Sequence, residues 1–191
     1  MITLEGSWEV SFDSKRGGPE KITFDKLIDW REHMEPGIKY YSGIATYSKT
    51  FDLPEEADLS GQYSIDLGLA YEMARVTLNG VEQGVAWTPP WQVTLSGLKS
   101  KGNVLTIEVA NSWENRLIGD TKGEDANART VQWPSGLLNG KPYKTGRYTF
   151  TTYQIRDYSK LENQDPALQP SGLIGPVRLL SQPNKPAKEK L

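Results

Sequence analysis

The chain has no cysteine and one histidine, His33. Without thiols there is no disulfide framework, no thiolate nucleophile and no cysteine-based zinc site. A single imidazole also excludes a multi-histidine metal centre. A Ser-His-Asp triad would have to recruit His33, and the sequence has no Gly-x-Ser-x-Gly elbow. His33 therefore reads as a partly exposed polar side chain. No apolar run approaches the ~20 residues that cross a bilayer. An excess of charge of either sign is also absent. The formal net charge is −2, and no cluster of Lys and Arg occurs before the last few residues. The chain thus lacks the electrostatic footprint of a partner for nucleic acid or for an anionic membrane. The opening "MITLEGSWEV" has no basic segment followed by an apolar one, so no signal peptide is expected there. The chain reads either as a short leaderless protein or as a domain cut from a longer one.

What is abundant is alternation. Trp8, Val10 and Phe12 alternate with Glu9 and Ser11; Tyr63, Ile65 and Leu67 with Ser64 and Asp66. Ala74, Val76 and Leu78 do the same, as do Leu105, Ile107 and Val109. A period of two marks strands with one buried and one wetter face. The segments 44–52, 147–155 and 175–181 are rich in β-branched and aromatic residues and also read as strands. Asn79-Gly80 predicts a tight hairpin, because both central residues of a type I′ turn need positive φ. Helical periodicity is weak, with a turn or two expected within 19–34. These features predict an all-β fold: an antiparallel β-sandwich of jelly-roll type, as one domain over 1–182 with a flexible tail at 183–191. A long irregular insertion is expected near 111–146, and a second irregular stretch at 157–172. Connections of that length are usually functional or disordered.

Six tryptophans are a large number for 191 residues. Trp8 lies on the inward alternation of a strand. Trp87, Trp91, Trp113 and Trp133 lie in or beside loops, where they either cap the sandwich or offer a flat face. A pyranose has an apolar CH face that packs on an aromatic ring, and its hydroxyls need polar partners. In "GVAWTPPWQV" (84–93), Pro89 and Pro90 preclude a regular central strand and predict a stiff corner. Trp91 then falls on the inward alternation of Val93 and Leu95, and Trp87 is the better outward candidate. Carboxylates are plentiful enough for a chance pair, so they do not by themselves indicate glycoside hydrolysis. The oxygen-rich segment 119–127, "GDTKGEDAN", makes calcium possible but lacks EF-hand spacing. A solvated acidic loop is its default reading.

Several blocks carry a family resemblance. The run from "YSKTFDLPE" through "VTLNG" to "GNVLTIEVANSW" resembles the sugar-binding, jelly-roll domain of family 2 glycoside hydrolases. "GSWEVSFD", "YYSGIATYSKTF", "NSWENRLIGD", "GRYTFTTY" and "SGLIGPVRLL" resemble the C-terminal, galactose-binding-like β-sandwich of family 106 α-L-rhamnosidases and related glycosidase-like proteins. Tyr153 departs from the Trp expected after "TFTT". The resemblance implies an accessory domain of calcium-dependent, inverting hydrolases of plant cell-wall rhamnosides, whose catalysis belongs to a separate barrel. This chain has neither the length nor the alternating βα pattern of such a barrel. The expected role is a non-catalytic module that binds a rhamnose- or uronate-containing glycan weakly. The alternatives are a docking module for a catalytic glycosidase domain, without a sugar ligand, or a fragment of a larger α-L-rhamnosidase. For sugar, Trp87, Trp91 and Trp113 would supply stacking faces, and Arg116, Asp120 and Arg147 would pair with hydroxyls or a uronate. The family context suggests an exported, periplasmic or cell-surface location.

Overall fold

The computed structural model describes residues 1–122, 131–132, 150–151 and 167–182. In chain order the strands are β1 (Ile2–Thr3), β2 (Trp8–Ser11), β3 (Ile22–Phe24), β4 (Ile44–Phe51), β5 (Gln62–Asp66), β6 (Leu69–Tyr71), β7 (Met73–Leu78), β8 (Val81–Ala86), β9 (Gln92–Leu95), β10 (Asn103–Ala110), β11 (Val131–Gln132), β12 (Phe150–Thr151), β13 (Gly172–Gly175) and β14 (Arg178–Gln182). Two α-helical segments, α1 (Pro36–Lys39) and α2 (Glu114–Lys122), accompany them. One sheet has six strands in the order β3-β2-β4-β10-β7-β8, and the other has four in the order β1-β14-β5-β9. All pairings within these two sheets are antiparallel. The antiparallel pair β6–β13 follows on from β5 and β14, through a bridge between Gly68 and Gly175. The short pair β11–β12 is parallel. The protein is an all-β antiparallel sandwich.

The alternation seen in the sequence becomes the core. Trp8, Val10, Tyr47, Ile65, Val76, Leu105, Ile107 and Val109 face inward from both sheets and are buried. Each fully buried aliphatic side chain of this kind stabilises the fold by about 1.5–3 kcal/mol. The Asn79-Gly80 hairpin forms as expected between β7 and β8, with φ of 52° and 82° at its two central residues. The turn sets the register as far as Thr77–Glu82; an irregularity between Val76 and Thr77 then shifts it by one residue, so that Arg75 pairs with Val85 and the site described below is positioned.

The loops depart from the sequence reading at one place and match it at another. The irregular stretch expected from 111 onward opens instead with α2, nine residues long. Period two dominates this sequence and one short helix barely disturbs it. Gly119, which as a helix-interior glycine argues against the helix, is there because Tyr40 packs against it: an added Cβ would lie 2.4 Å from the Tyr40 ring. Within 19–34, β3 is followed by a single 3-10 turn, Trp30–Glu32, closed at its start by Asp29. Of the expected strand at 147–155, only β12 lies within the described residues. The tail from 183 onward and most of the 157–172 stretch lie outside them, apart from 167–172.

A buried polar network fastens the C-terminal return to the rest. Asn115 in α2 donates to the carbonyl of Gln169 and accepts from its N–H, both at 2.7 Å. Asp29 accepts from the Ser171 N–H at 3.2 Å and from Arg31 Nε at 2.8 Å. The hydrogen bond to Asp29 raises the Arg31 pKa, against an opposing effect of burial. The hydroxyl of Tyr47 on β4 accepts from Trp30 Nε1 at 2.7 Å and from the Leu173 N–H at 3.2 Å. Burial drives the phenol pKa far above its ordinary value. One hydroxyl thereby ties a strand of the large sheet, the 3-10 turn and β13 together.

Candidate functional site

The corner that follows β8 separates its two tryptophans. Proline has no N–H to give a ladder, so β8 ends at Ala86 and β9 starts at Gln92, after Pro89-Pro90. The corner is pinned at its far side, where the Leu67 N–H donates to the Trp91 carbonyl at 2.8 Å. Trp91 sits in the core with Val93 and Leu95 and is 9% exposed. Its ring is used for packing, and it offers no open stacking face. Trp87 is 71% exposed. It extends the alternation of β8 by one step: Val85 out, Ala86 in, Trp87 out.

The strand register shows what stands beside it. On the outward face of the large sheet, Ile44 of β4 pairs with Ala110 of β10, which pairs with Met73 of β7. Continuing the β7–β8 register from Arg75–Val85 and Ala74–Ala86 brings Trp87 to the end of this row. Ile44, Met73 and Trp87 are all exposed. The next row on the same face is Thr46, Glu108, Arg75 and Val85. Arg75 Nη1 lies 3.3 Å from Glu108 and its Nε lies 3.9 Å from Glu82. An apolar row therefore runs beside a charged, hydrogen-bonding one.

The other sequence candidates are scattered. Trp113 is 71% exposed and lies just beyond β10, at the same end of the sandwich as Trp87. Arg116 faces the other way: it is buried, and its Nη1 donates to the Arg16 carbonyl at 3.1 Å. Its guanidinium thus fastens α2 to the loop after β2 and is not displayed on the rim. Asp120 belongs to α2, but its side chain lies outside the described residues, as do Arg147, Trp133 and Tyr153. His33 is half-buried; its ring stacks on Phe24 and its Nδ1 accepts from the Glu35 N–H at 3.0 Å. Burial holds its pKa below the ordinary value, with the Glu35 carboxylate opposing. For calcium, the segment 119–127 starts as the end of α2, and residues 123–127 lie outside the described residues. Among the described residues, no group of three His, Asp or Glu side chains is arranged to hold a metal ion. No described helix is long and apolar enough to cross a membrane.

Nothing in the sequence singles out Arg75 or Glu82, and Glu108 is one carboxylate among many. Their outward position could be read from alternation within each strand. Their adjacency depends on β7 pairing with both β8 and β10, and the second of these pairings is not local in sequence.

No family model matches the chain. Over 184 residues, 93% of the chain, it is 35% identical to a protein of Formosa agariphila named "Putative beta-glucuronidase". Its fold matches the structure of a rhamnosidase from Novosphingobium sp. PP1Y with a TM-score of 0.71 and 35% sequence identity, over 95% of the chain. The chain spans 15% of the length of each of these proteins. Identity at this level over nearly the whole chain, with the same fold, identifies the chain as a small domain related to part of larger glycosidases.

Proposed function

We propose that this sandwich is a non-catalytic accessory module of a rhamnosidase-like glycoside hydrolase, of galactose-binding-like type, and that it holds glycan weakly at the end of the sandwich where its indoles are exposed. The observation that carries this reading is the division of the tryptophans. Trp8, Trp30 and Trp91 are buried, whereas Trp87 and Trp113 are both 71% exposed at one end of the molecule. Ordering an exposed indole on a surface serves a flat, apolar-faced ligand, and both relatives are named for sugar chemistry. A site with one or two stacked rings and few hydrogen bonds supports affinities of ~mM to ~µM. Isothermal titration of the whole chain with neutral and acidic plant cell-wall oligosaccharides tests the reading, with the double variant Trp87→Ala/Trp113→Ala as control. Heats that saturate in the parent and vanish in the variant are expected; flat heats throughout would refute it.

A second reading rests on the exposed row Ile44, Met73 and Trp87, an apolar strip suited to lying against a catalytic domain. Concentration-dependent self-association by light scattering, indifferent to sugar, would favour it.

A further inference from the structure

The outward face of the large sheet carries a more complete set of sugar-binding groups than the loops do. We propose that the outward face of the large sheet at the β8 edge is a binding site for a neutral pyranoside, with Trp87 as its platform and the Arg75–Glu108–Glu82 cluster as its hydroxyl partner. This rests on the carbohydrate-binding reading above and specifies its place and its ligand class.

Three observations meet there. Trp87 is 71% exposed and directly follows the edge strand β8, so a ring can approach it from the side as well as from above. Arg75 pairs directly with Val85, two residues before Trp87 on the same face of β8. Diagonal neighbours of this kind have Cβ atoms roughly 7 Å apart, within reach of long side chains. Third, Arg75 is spread between two carboxylates, through Nη1 to Glu108 and Nε to Glu82, and neither ion pair uses Nη2. A guanidinium donor beside carboxylate acceptors is the set that pairs of vicinal hydroxyls, each both donor and acceptor, can satisfy. The apolar row continues from Trp87 through Met73 toward Ile44 and lies beneath the rest of the CH face.

The charge of the cluster selects the ligand. Two carboxylates and one guanidinium leave a local formal charge of −1, so an anionic sugar meets like-charge repulsion that a neutral one does not. The structure thus separates the rhamnose-type and uronate-type expectations in favour of the neutral class.

The test uses the whole chain, methyl α-L-rhamnoside, and the isosteric pair methyl β-D-glucoside and methyl β-D-glucuronide. These two differ only in a charged group at C6. Binding is read by titration calorimetry and by saturation-transfer NMR, with melting curves to confirm that the surface variants stay folded. The neutral glycosides should bind, with the ring CH protons receiving the strongest saturation, and the glucuronide should bind at least threefold more weakly. Trp87→Ala should weaken binding at least tenfold and Arg75→Ala at least threefold, whereas Trp113→Ala should weaken it by less than Trp87→Ala. Glu82→Gln should narrow the gap between glucoside and glucuronide. Binding lost in Trp113→Ala but kept in Trp87→Ala would overturn this site while leaving carbohydrate binding intact. Tighter binding of the glucuronide would overturn the choice of ligand class. The absence of any bound sugar would overturn the carbohydrate reading itself.

Discussion

Replacing Tyr47 with Phe removes one oxygen and should cost more than a typical core substitution. The ring fits the same space, so no cavity of consequence is made. What changes is that Trp30 Nε1 and the Leu173 N–H, at 2.7 Å and 3.2 Å from the hydroxyl, lose their acceptor in a buried site. Each unsatisfied buried donor costs about 1–3 kcal/mol. The phenol no longer has to be desolvated, which returns part of this. A net loss of about 2–4 kcal/mol follows, equivalent to a melting temperature lower by roughly 5–15 °C for a domain of this size. Differential scanning calorimetry and urea titration measure it. The double variant Tyr47→Phe/Trp30→Phe supplies the coupling: with the indole donor also removed, the Tyr47→Phe step should become smaller. A Tyr47→Phe loss below about 0.5 kcal/mol would refute the claim that this hydroxyl joins the large sheet to the 3-10 turn and β13, and strict additivity with Trp30→Phe would refute its link to the turn.

The two tryptophans of the proline corner should behave oppositely. Trp91→Ala empties a core position and should cost about 3–5 kcal/mol in denaturant titration, whereas Trp87→Ala should stay within about 0.5 kcal/mol of the parent. Equal losses would contradict their placement. His33 should make stability depend on pH in the range below its unfolded pKa of about 6.5. Its folded pKa is lowered, chiefly by burial, so the unfolded chain binds the proton more readily. The stabilisation is present above the unfolded pKa of about 6.5, declines as pH falls through the lower folded value, and then levels off. Urea midpoints measured across this range should slope for the parent and flatten for His33→Gln. Parallel profiles would assign the dependence to other groups.

The amino-acid order by itself determined the strands and their inward faces. Trp8, Val10, Ile65, Val76 and Ile107 could be placed in the core from period two, because side chains of a strand alternate whatever it pairs with. The hairpin at Asn79-Gly80 was equally legible, since its backbone conformation is a local demand. The proline corner and the inward turn of Trp91 followed from the missing N–H and the alternation with Val93. Helix α2 was not legible: its glycine is dictated by the Tyr40 ring lying against it, a contact between segments far apart in the chain. The same is true of Arg116, whose charge suggested an exposed rim although its partner is a carbonyl one hundred residues earlier. The platform beside Arg75 and Glu108 likewise exists only after β4, β10, β7 and β8 line up in register. Local stereochemistry fixes what each strand shows on either face. Long-range pairing alone decides which of those faces become neighbours, and so where a ligand finds several groups at once.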